Sequence, residues 1–316
     1  MTQPRDVRVL FMGSPGFAVP SLRAVVNAGY VVVAVVTQPD RPAGRGGRMT
    51  PPAVKKAAEL LGFPVIQPES LKDPATEAAL RASAPDVIVV AAYGKILPRA
   101  VLAIPTRGCL NVHASLLPRW RGASPIVAAI LAGDAETGIT IMEMAPKMDA
   151  GAIVLQRTIE LLPDARAWIY EELLASMGAR TLIDALPRWY DRELLAVAQD
   201  ESQATYCSLV KKTDGYLRAE MSTAEADRAV RAYEPWPRAS VGYRDGRLAI
   251  SQARVAPLPA TPELGAMIVL NSEPAIAFRD GLLVLEEVQK PGGRRISGAQ
   301  LVNGERGVLP SVAGLV

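Results

Sequence analysis

Residues Val7–Met12 have the sequence VRVLFM, a nearly unbroken apolar run, and three similar runs follow at Val31–Thr37 (VVVAVVT), Asp86–Ala91 (DVIVVA) and Cys109–His113 (CLNVH). Short runs of this kind, rich in β-branched residues, are typical of strands that are buried on both faces of a sheet. Helical patterns lie between them, at Pro20–Ala28, Ala53–Leu61 and Pro74–Ser83. This alternation predicts an α/β domain in which a Rossmann-like, predominantly parallel sheet has helices on both faces.

The pattern changes in the second half of the chain. Ala165–Leu186 predicts one long helix, residues 190–205 are polar and mixed in the manner of a linker, and Thr223–Tyr233 predicts a short amphipathic helix. Beyond this helix, short strand patterns alternate with turn sequences, which is typical of a small β-barrel. A length of 316 residues is usual for about two domains. We therefore expect a first domain over 1–205 and a β-rich domain over 206–316.

Composition excludes several kinds of site. The chain has two cysteines, Cys109 and Cys207, and one histidine, His113, so neither a disulfide framework nor a zinc site is expected. No apolar run reaches the roughly 18–20 residues that cross a bilayer, and Met1–Phe11 lacks the apolar core of a signal peptide. We therefore expect a cytoplasmic protein without a membrane partner. Because the net charge is only +3, contact with nucleic acid would have to come from local clusters.

The densest group of residues capable of chemistry is NVHASLLPRWRG at Asn111–Gly122, which begins on a predicted strand and continues into a loop. In an open parallel sheet, ligands bind beyond the carboxyl ends of the strands, where this loop begins. Residues two apart on a strand point to the same face at a spacing of about 6.6 Å, so the Asn111 amide and the His113 imidazole can converge on one small group. An amide N–H suits a developing oxyanion, and an imidazole suits proton transfer near neutral pH. The pair fits attack of an amine on a carbonyl carbon.

Two alternatives compete for this strand. Cys109 could be a nucleophile activated by His113, but residues four apart on a strand are about 13 Å apart, whereas a hydrogen bond needs roughly 3 Å. The other alternative is a structural strand end, with the imidazole hydrogen-bonded to the backbone. The loop that follows lies at the ligand edge of the sheet and contains two arginines, but the residues alone leave this alternative open, and the family resemblance described next is what favours the functional interpretation.

The same stretch, together with Gly133–Met142 and Met148–Gly151, closely resembles the folate-dependent formyltransferases. Their catalytic set is an Asn, a His two residues later and an Asp in a following (Leu/Met)-Asp-x-Gly turn, and the resemblance places these roles on Asn111, His113 and Asp149. It implies 10-formyltetrahydrofolate as co-substrate and no metal. The segments that line the folate site in the family fall on Tyr93, Gly94, Ile96, Leu97, Ser115, Leu116, Leu117 and Pro118.

The resemblance also concerns the acceptor. Thr37–Gly46 (TQPDRPAGRG) is similar to the mobile loop of those formyltransferases that act on methionyl-tRNA, and Arg231–Pro237 (RAYEPWP) is similar to the start of their OB-like, tRNA-binding C-terminal barrel. A loop rich in Pro, Gly and Arg is exposed, and its charges suit an RNA backbone. Without the resemblance, the loop would be a solvated surface loop and PWP a structural turn. The residues expected to contact tRNA are Arg41, Arg45, Arg48, Lys290, Arg294 and Arg295.

We therefore expect a monomer that transfers the formyl group of 10-formyltetrahydrofolate to the amino group of methionyl initiator tRNA. Glycinamide ribonucleotide or an amino sugar nucleotide is the alternative acceptor, although the former would need neither the arginine loop nor a C-terminal domain. A nicotinamide-dependent dehydrogenase would need Gly-x-Gly-x-x-Gly after the first strand, and Gly13–Phe17 (GSPGF) lacks that spacing. The third alternative is an RNA-binding module without chemistry, which an absence of formyl transfer to charged tRNA would favour.

Overall fold

The computed structural model describes residues 3–43, 47–244, 246–257 and 263–305. Its α-helices are α1 (Val19–Asn27), α2 (Ala53–Leu60), α3 (Pro74–Ala82), α4 (Arg99–Leu102), α5 (Pro125–Ala132), α6 (Ala167–Tyr190), α7 (Thr223–Ala232) and α8 (Gly298–Gly304). Its strands are β1 (Arg8–Gly13), β2 (Val31–Val36), β3 (Arg41–Ala43), β4 (Arg48–Thr50), β5 (Val65–Ile66), β6 (Val87–Ala91), β7 (Cys109–His113), β8 (Arg121–Gly122), β9 (Glu136–Glu143), β10 (Ile153–Glu160), β11 (Tyr206–Cys207), β12 (Ala239–Tyr243), β13 (Gly246–Ala256), β14 (Met267–Leu270), β15 (Glu273–Phe278), β16 (Gly281–Gln289) and β17 (Arg295–Ser297).

The chain divides into two compact units. Unit 1 contains the described residues up to Pro125, together with Glu136–Glu160 and Glu171–Ser208. Unit 2 contains the described residues from Leu209 onward and two short segments that come earlier in the chain, Ile126–Ala135 and Leu161–Tyr170.

Unit 1 is built on a seven-stranded sheet with the order β10-β9-β7-β6-β1-β2-β5. The strands from β7 to β5 are parallel, and β9 and β10 extend one edge as antiparallel strands. Every residue of β6 and β7 is buried, so both faces of the sheet are covered at its centre. The α/β fold with a predominantly parallel sheet is therefore confirmed. The sequence gives no strand prediction for β9 and β10, because their glycine, threonines and charged residues interrupt any apolar run.

The order of the strands explains where a ligand would bind. The chain places β2 and β5 on one side of β1 and then β6 and β7 on the other, so the order reverses between β1 and β6. Such a reversal opens a crevice beyond the carboxyl ends of the strands. The loops that leave β1, β2 and β6 meet there: the Ser14 hydroxyl and the Gln38 side-chain amide both donate to the Tyr93 carbonyl oxygen, at 3.3 and 3.0 Å.

Two segments differ from the sequence prediction. The arginine-rich loop contains an antiparallel strand pair, β3 with β4, in which Arg41 is opposite Thr50; its proline and glycine content conceals this short pairing. Helix α6 continues past the predicted end at Leu186 to Tyr190 because the chain tolerates Pro187 inside its last turn, where the Asp191 N–H still donates to the Pro187 carbonyl oxygen at 2.9 Å. Residues 190–205, which the sequence predicts as a linker, lie within unit 1, where Val197 pairs with Ile153 of β10.

Unit 2 contains an antiparallel sheet with the order β12-β13-β16-β15-β14, and β17 pairs with β16. Among the described residues its outer strands, β12 and β14, do not pair with each other, so the sheet is a half-barrel. Helix α7 packs on it through Ala226, Ala229 and Val230, whose spacing forms one apolar face. The predicted amphipathic helix and β-rich C-terminal half are thus confirmed. No helix in the described ranges is long and apolar enough to cross a membrane.

Candidate active site

Strand β7 positions the first two predicted catalytic residues. It lies between β6 and β9, and Asn111 is opposite Val90 of β6 and Met142 of β9, while His113 is opposite Thr140. Since they are two apart on one strand, Asn111 and His113 belong to the same face of the sheet. Both are almost completely buried, with 8% and 6% of their surface exposed. Polar side chains buried to this extent normally have hydrogen-bond partners, and the surroundings of His113 supply them.

The contacts of His113 fix the chemistry of its two ring nitrogens. Nε2 lies 3.0 Å from the carbonyl oxygen of Trp120. A carbonyl oxygen only accepts, so the hydrogen of the neutral ring must be on Nε2. Nδ1 then has the lone pair, and it lies 3.9 Å from Oδ1 of Asp149. This separation is too long for a direct hydrogen bond, but it leaves Nδ1 facing a carboxylate.

Asp149 is held in an unusual turn, residues 147–151, which we call the Asp149 turn. Its backbone has φ +49°, a conformation that is rare for a residue other than glycine. The Asp149 carboxylate accepts a hydrogen bond from the Gly122 N–H at 2.8 Å, through Oδ2. Two residues later the chain passes so close to the Glu143 carbonyl oxygen that a side chain at Gly151 would overlap it. The structure thus brings His113 and Asp149 together, with Asn111 on the same face of β7.

The eight predicted folate-site residues lie in the loops that follow β6 and β7, which are neighbouring strands. Tyr93, Leu97, Ser115 and Leu117 are buried, whereas Gly94 is exposed and Ile96 is 72% exposed. The two remaining residues, Leu116 and Pro118, are partly buried. The exposed and partly buried members are those with surface available to a ligand.

Two of the buried members have evident structural contacts. The Ser115 hydroxyl donates to the Arg119 carbonyl oxygen at 2.6 Å, and the Leu117 N–H donates to Thr140 Oγ1 at 3.1 Å. Tyr93 is different, because its hydroxyl is buried and has no hydrogen-bond partner among the residues that the structure describes. Burial raises the pKa of Tyr93 to about 12, so this hydroxyl stays protonated at neutral pH and can donate.

The residues predicted to contact tRNA differ in whether their positive charge is paired with a carboxylate of the protein. Arg41 forms a long surface ion pair with Glu69, at 3.9 Å. Arg48 and Arg294 are exposed and form no ion pair with any residue in the described ranges. Lys290 pairs with Glu305, and Arg295 pairs with Glu234 and Glu287. Arg45 lies outside the described residues. Lys290 and Arg295 therefore have structural partners in unit 2, whereas Arg48 and Arg294 are available.

Sequence reasoning misses one prominent residue of the site, Arg121. It is completely buried, and its guanidinium contacts Gln199, Glu201 and Tyr206. The sequence shows an arginine next to the catalytic motif, but its partners come 78 residues or more later, in the polar segment that predicts a linker. No local pattern connects the two.

The surroundings of Cys109 do not favour a reactive thiolate. The residue is buried on β7, its thiol donates weakly to the Leu102 carbonyl oxygen at 3.8 Å, and burial together with the Glu143 charge raises its pKa to about 12. In the described ranges, no group of three or more His, Cys, Asp or Glu side chains could hold a metal ion.

Comparison with known proteins gives consistent matches along the chain. The family model for formyl transferase matches residues 7–186, and that for the formyl transferase C-terminal domain matches residues 209–306. The methionyl-tRNA formyltransferase of Chloroflexus aggregans is 47% identical over 94% of this chain and 97% of its own length. That of Methylococcus capsulatus is 44% identical over 94% and 96%. Among solved structures, the N-formyltransferase from Helicobacter canadensis, in complex with folinic acid and dTDP-3-aminofucose, superposes with a TM-score of 0.65 at 14% identity, over 92% of this chain and 100% of that one. At this identity the structural match concerns the fold alone.

Proposed function

The chain belongs to the formyl transferase family, and from this we propose that it transfers the formyl group of 10-formyltetrahydrofolate to the amino group of methionyl initiator tRNA. The proposal rests on the sequence identity to relatives named methionyl-tRNA formyltransferase, which extends over nearly the whole length of this chain and of each relative. The protein is a formyl-transferring enzyme, and its family uses formyl-tetrahydrofolate as the donor.

The geometry of His113 supports a role in moving the proton of the amine. Because Nε2 donates to the Trp120 carbonyl oxygen, Nδ1 is the nitrogen that can accept a proton. The imidazolium formed in this way has the Asp149 carboxylate 3.9 Å away, and both side chains are at most 15% exposed. Asp149 therefore stabilises the charged ring electrostatically, while the hydrogen bond to the Trp120 carbonyl oxygen sets the orientation of the ring.

Asn111 is the candidate donor to the oxyanion. Its amide lies on the same face of β7 as the imidazole and is almost completely buried, and a hydrogen bond to developing charge is strongest when it is shielded from solvent. The acceptor amine forms a bond to the formyl carbon, the bond from this carbon to the folate nitrogen breaks, and the proton that His113 takes from the amine passes to the leaving nitrogen. We assign the donor to the crevice beyond β1, β6 and β7, where Gly94, Ile96, Leu116 and Pro118 have surface available for contact.

For the acceptor, we assign formyl transfer and folate binding to residues 1–205 and tRNA binding to residues 206–316 together with the loop that contains Arg41, Arg45 and Arg48. Arg48→Ala should lower kcat/KM for methionyl-tRNA and reduce the slope of its salt dependence by roughly one, while tetrahydrofolate affinity stays the same. Arg81→Ala, which removes a surface arginine paired with Glu77 on α3, is the matched control. Equal losses for tRNA and folate would contradict a role in reading RNA.

A competition assay tests the proposed function directly. Enzyme and labelled 10-formyltetrahydrofolate are mixed with methionyl-tRNA, glycinamide ribonucleotide and an amino sugar nucleotide, and the label on each acceptor is measured. We expect the label on methionyl-tRNA, and on the initiator in preference to the elongator species. Label on either small acceptor alone would refute the proposal.

We also propose that the enzyme acts in the cytoplasm, where aminoacylated tRNA is used, and that it acts as a monomer. Sedimentation equilibrium across the concentration range of the activity assay tests the oligomeric state, and a dimer mass there would contradict it.

A further inference from the structure

Arg121 is the largest side chain that is completely buried among the residues described, and its guanidinium has acceptors on two side chains. Nε and Nη2 both donate to Oε1 of Gln199, at 3.0 and 2.8 Å, and Nη2 also donates to Oε1 of Glu201 at 2.7 Å. A buried arginine without such partners would be strongly destabilising. We call Arg121, Gln199 and Glu201 the buried arginine network.

Gln199 connects this network to the Asp149 turn. While its side-chain oxygen accepts from Arg121, its side-chain nitrogen donates to the carbonyl oxygens of Asp149 and Gly151, at 2.8 and 2.7 Å. The orientation of the amide is fixed, because a guanidinium only donates and a carbonyl only accepts. Gln199 thus holds the backbone on both sides of Ala150, in the turn that carries the Asp149 carboxylate.

The backbone around Arg121 contacts both members of the catalytic pair. The preceding residue, Trp120, accepts from His113 Nε2, and the following residue, Gly122, donates to the Asp149 carboxylate. This short segment is fixed in turn by the chain beyond Gln199, since the Arg121 N–H donates to the Thr205 carbonyl oxygen at 2.9 Å and β8 pairs with β11.

Glu201 ties a further residue of the same turn into the network. Its carboxylate also accepts from Lys147 at 2.6 Å, so it joins the start of the Asp149 turn to Arg121. Hydrogen bonds from Arg121 and then Lys147 lower the pKa of Glu201 to about 2, which keeps it charged at every pH where the enzyme would be assayed.

We propose that Gln199, anchored by Arg121 and Glu201, is a positioning residue that sets the placement of Asp149 relative to His113. Gln199 contacts neither reacting atoms nor the imidazole, and it acts through the Asp149 turn. The choice of reaction for the assay rests on the proposed function, but the placement of Asp149 relative to His113 can also be tested in the protein without substrates.

The test compares two leucine substitutions on the same segment. Gln199→Leu removes the bonds to Arg121 and to the turn, and it should lower kcat by roughly 10–100-fold with little change in KM. Gln203→Leu is the control, because Gln203 is exposed and its side chain donates to Asp200 at 2.9 Å, away from the turn. Gln199→Glu is the second variant, because it retains an acceptor for Arg121 but cannot donate to the two carbonyl oxygens. A loss of kcat similar to that of Gln199→Leu would show that the bonds to the turn are the ones that matter. A wild-type kcat in Gln199→Glu would overturn the proposal.

A double-mutant cycle with Asp149→Asn distinguishes positioning from general structural support. If Gln199 acts through Asp149, Gln199→Leu should cause little further loss of kcat in the Asp149→Asn background. A loss of the same size in both backgrounds would overturn the proposal, as would a kcat of Gln199→Leu within threefold of wild type. The cycle is measured on whichever acceptor the wild-type enzyme formylates, so a wrong choice of acceptor would not be mistaken for a failure of positioning.

A measurement without substrates completes the test. His113 is the only histidine, so its ring signals in the NMR spectrum need no assignment by mutation. Gln199→Leu should shift these signals, because the neighbouring carboxylate moves, and Gln203→Leu should not. Unchanged signals in Gln199→Leu, or equal shifts in both variants, would overturn the proposal.

Discussion

The substitution Asp149→Asn has a predictable outcome because the surroundings of Asp149 determine how the new amide must orient. The Gly122 N–H donates to Oδ2 at 2.8 Å, and an amide keeps this bond only with its oxygen in that position. Its NH₂ group then faces Nδ1 of His113, which has the lone pair because the hydrogen of the neutral ring is on Nε2. The substitution therefore removes the charge that stabilises the imidazolium and places a donor against the atom that should accept the proton.

The distance between the two groups sets the size of the effect. Nδ1 and Oδ1 are 3.9 Å apart. Two unit charges about 4 Å apart attract each other by about 4 kcal/mol at an effective dielectric constant of about 20. Since 1.36 kcal/mol corresponds to about a factor of ten in rate, the loss of this attraction predicts a decrease in kcat of about 10³. KM for either substrate should change little, because the attraction is gained only when the ring is charged.

Single-turnover formylation of saturating substrate measures this decrease, and the pH–rate profile should change at the same time. Asp184→Asn is the matched control, because it removes a carboxylate of unit 1 that pairs with Arg157 at the surface and is more than half exposed. Such surface pairs contribute about 0–1 kcal/mol, so this variant should retain wild-type rates. A rate for Asp149→Asn within threefold of wild type would show that the carboxylate and the imidazole do not act together.

Three further predictions follow from single residues. Asn111→Ala should lower kcat by roughly 10²–10³ with an unchanged melting temperature, and a loss in KM alone would argue against an oxyanion contact. Gly151→Ala should lower both the melting temperature and kcat because its methyl group overlaps the Glu143 carbonyl oxygen, whereas Gly304→Ala, whose methyl group meets no atom of the described residues within 4 Å, should do neither. The pKa of Glu305 is lowered from 4.5 to about 2, by hydrogen bonds from Lys290 first and Tyr243 next, so its contribution to stability is complete above pH 4.5 and is lost as the pH falls toward 2. Denaturant unfolding of wild type should therefore show a steeper loss of stability over that interval than Glu305→Gln, and parallel curves would contradict the assignment.

The sequence predicts well those features that depend on local periodicity. Strand β7 has the predicted bounds, and the shared face of Asn111 and His113 follows from a period of two residues along any strand. The parallel strands are apolar throughout because both of their faces are covered, and this pattern is visible in a single sequence. Asp149 is different: its position is predicted by the resemblance to a family, since nothing in the local sequence indicates that the backbone there takes a positive φ.

Features that join distant segments are absent from any local pattern. The pairing of Arg41 with Thr50 and the burial of Arg121 both depend on partners that become neighbours only in the folded chain. Arginine is usually exposed and is fully buried only when it is paired, so the residue type by itself predicts a surface position for Arg121. Residues 190–205 look like a solvated linker for the same reason, because the hydrogen-bond partners of Gln199 and Glu201 lie in distant parts of the sequence.

The boundary between the two domains is placed differently by the family models and by the contacts in the structure. The two family models match residues 7–186 and 209–306, and the segment between them belongs to neither. In the structure, this segment lies within unit 1, and it supplies Gln199 to the Asp149 turn, Glu201 to Arg121 and the Thr205 carbonyl oxygen to the Arg121 N–H. None of its residues is fully buried, so the segment is held to the loops of the candidate site by hydrogen bonds rather than by core packing. A chain that ended at residue 186 would retain the strand that carries Asn111 and His113, but it would lose the hydrogen bonds from Gln199 to the Asp149 turn.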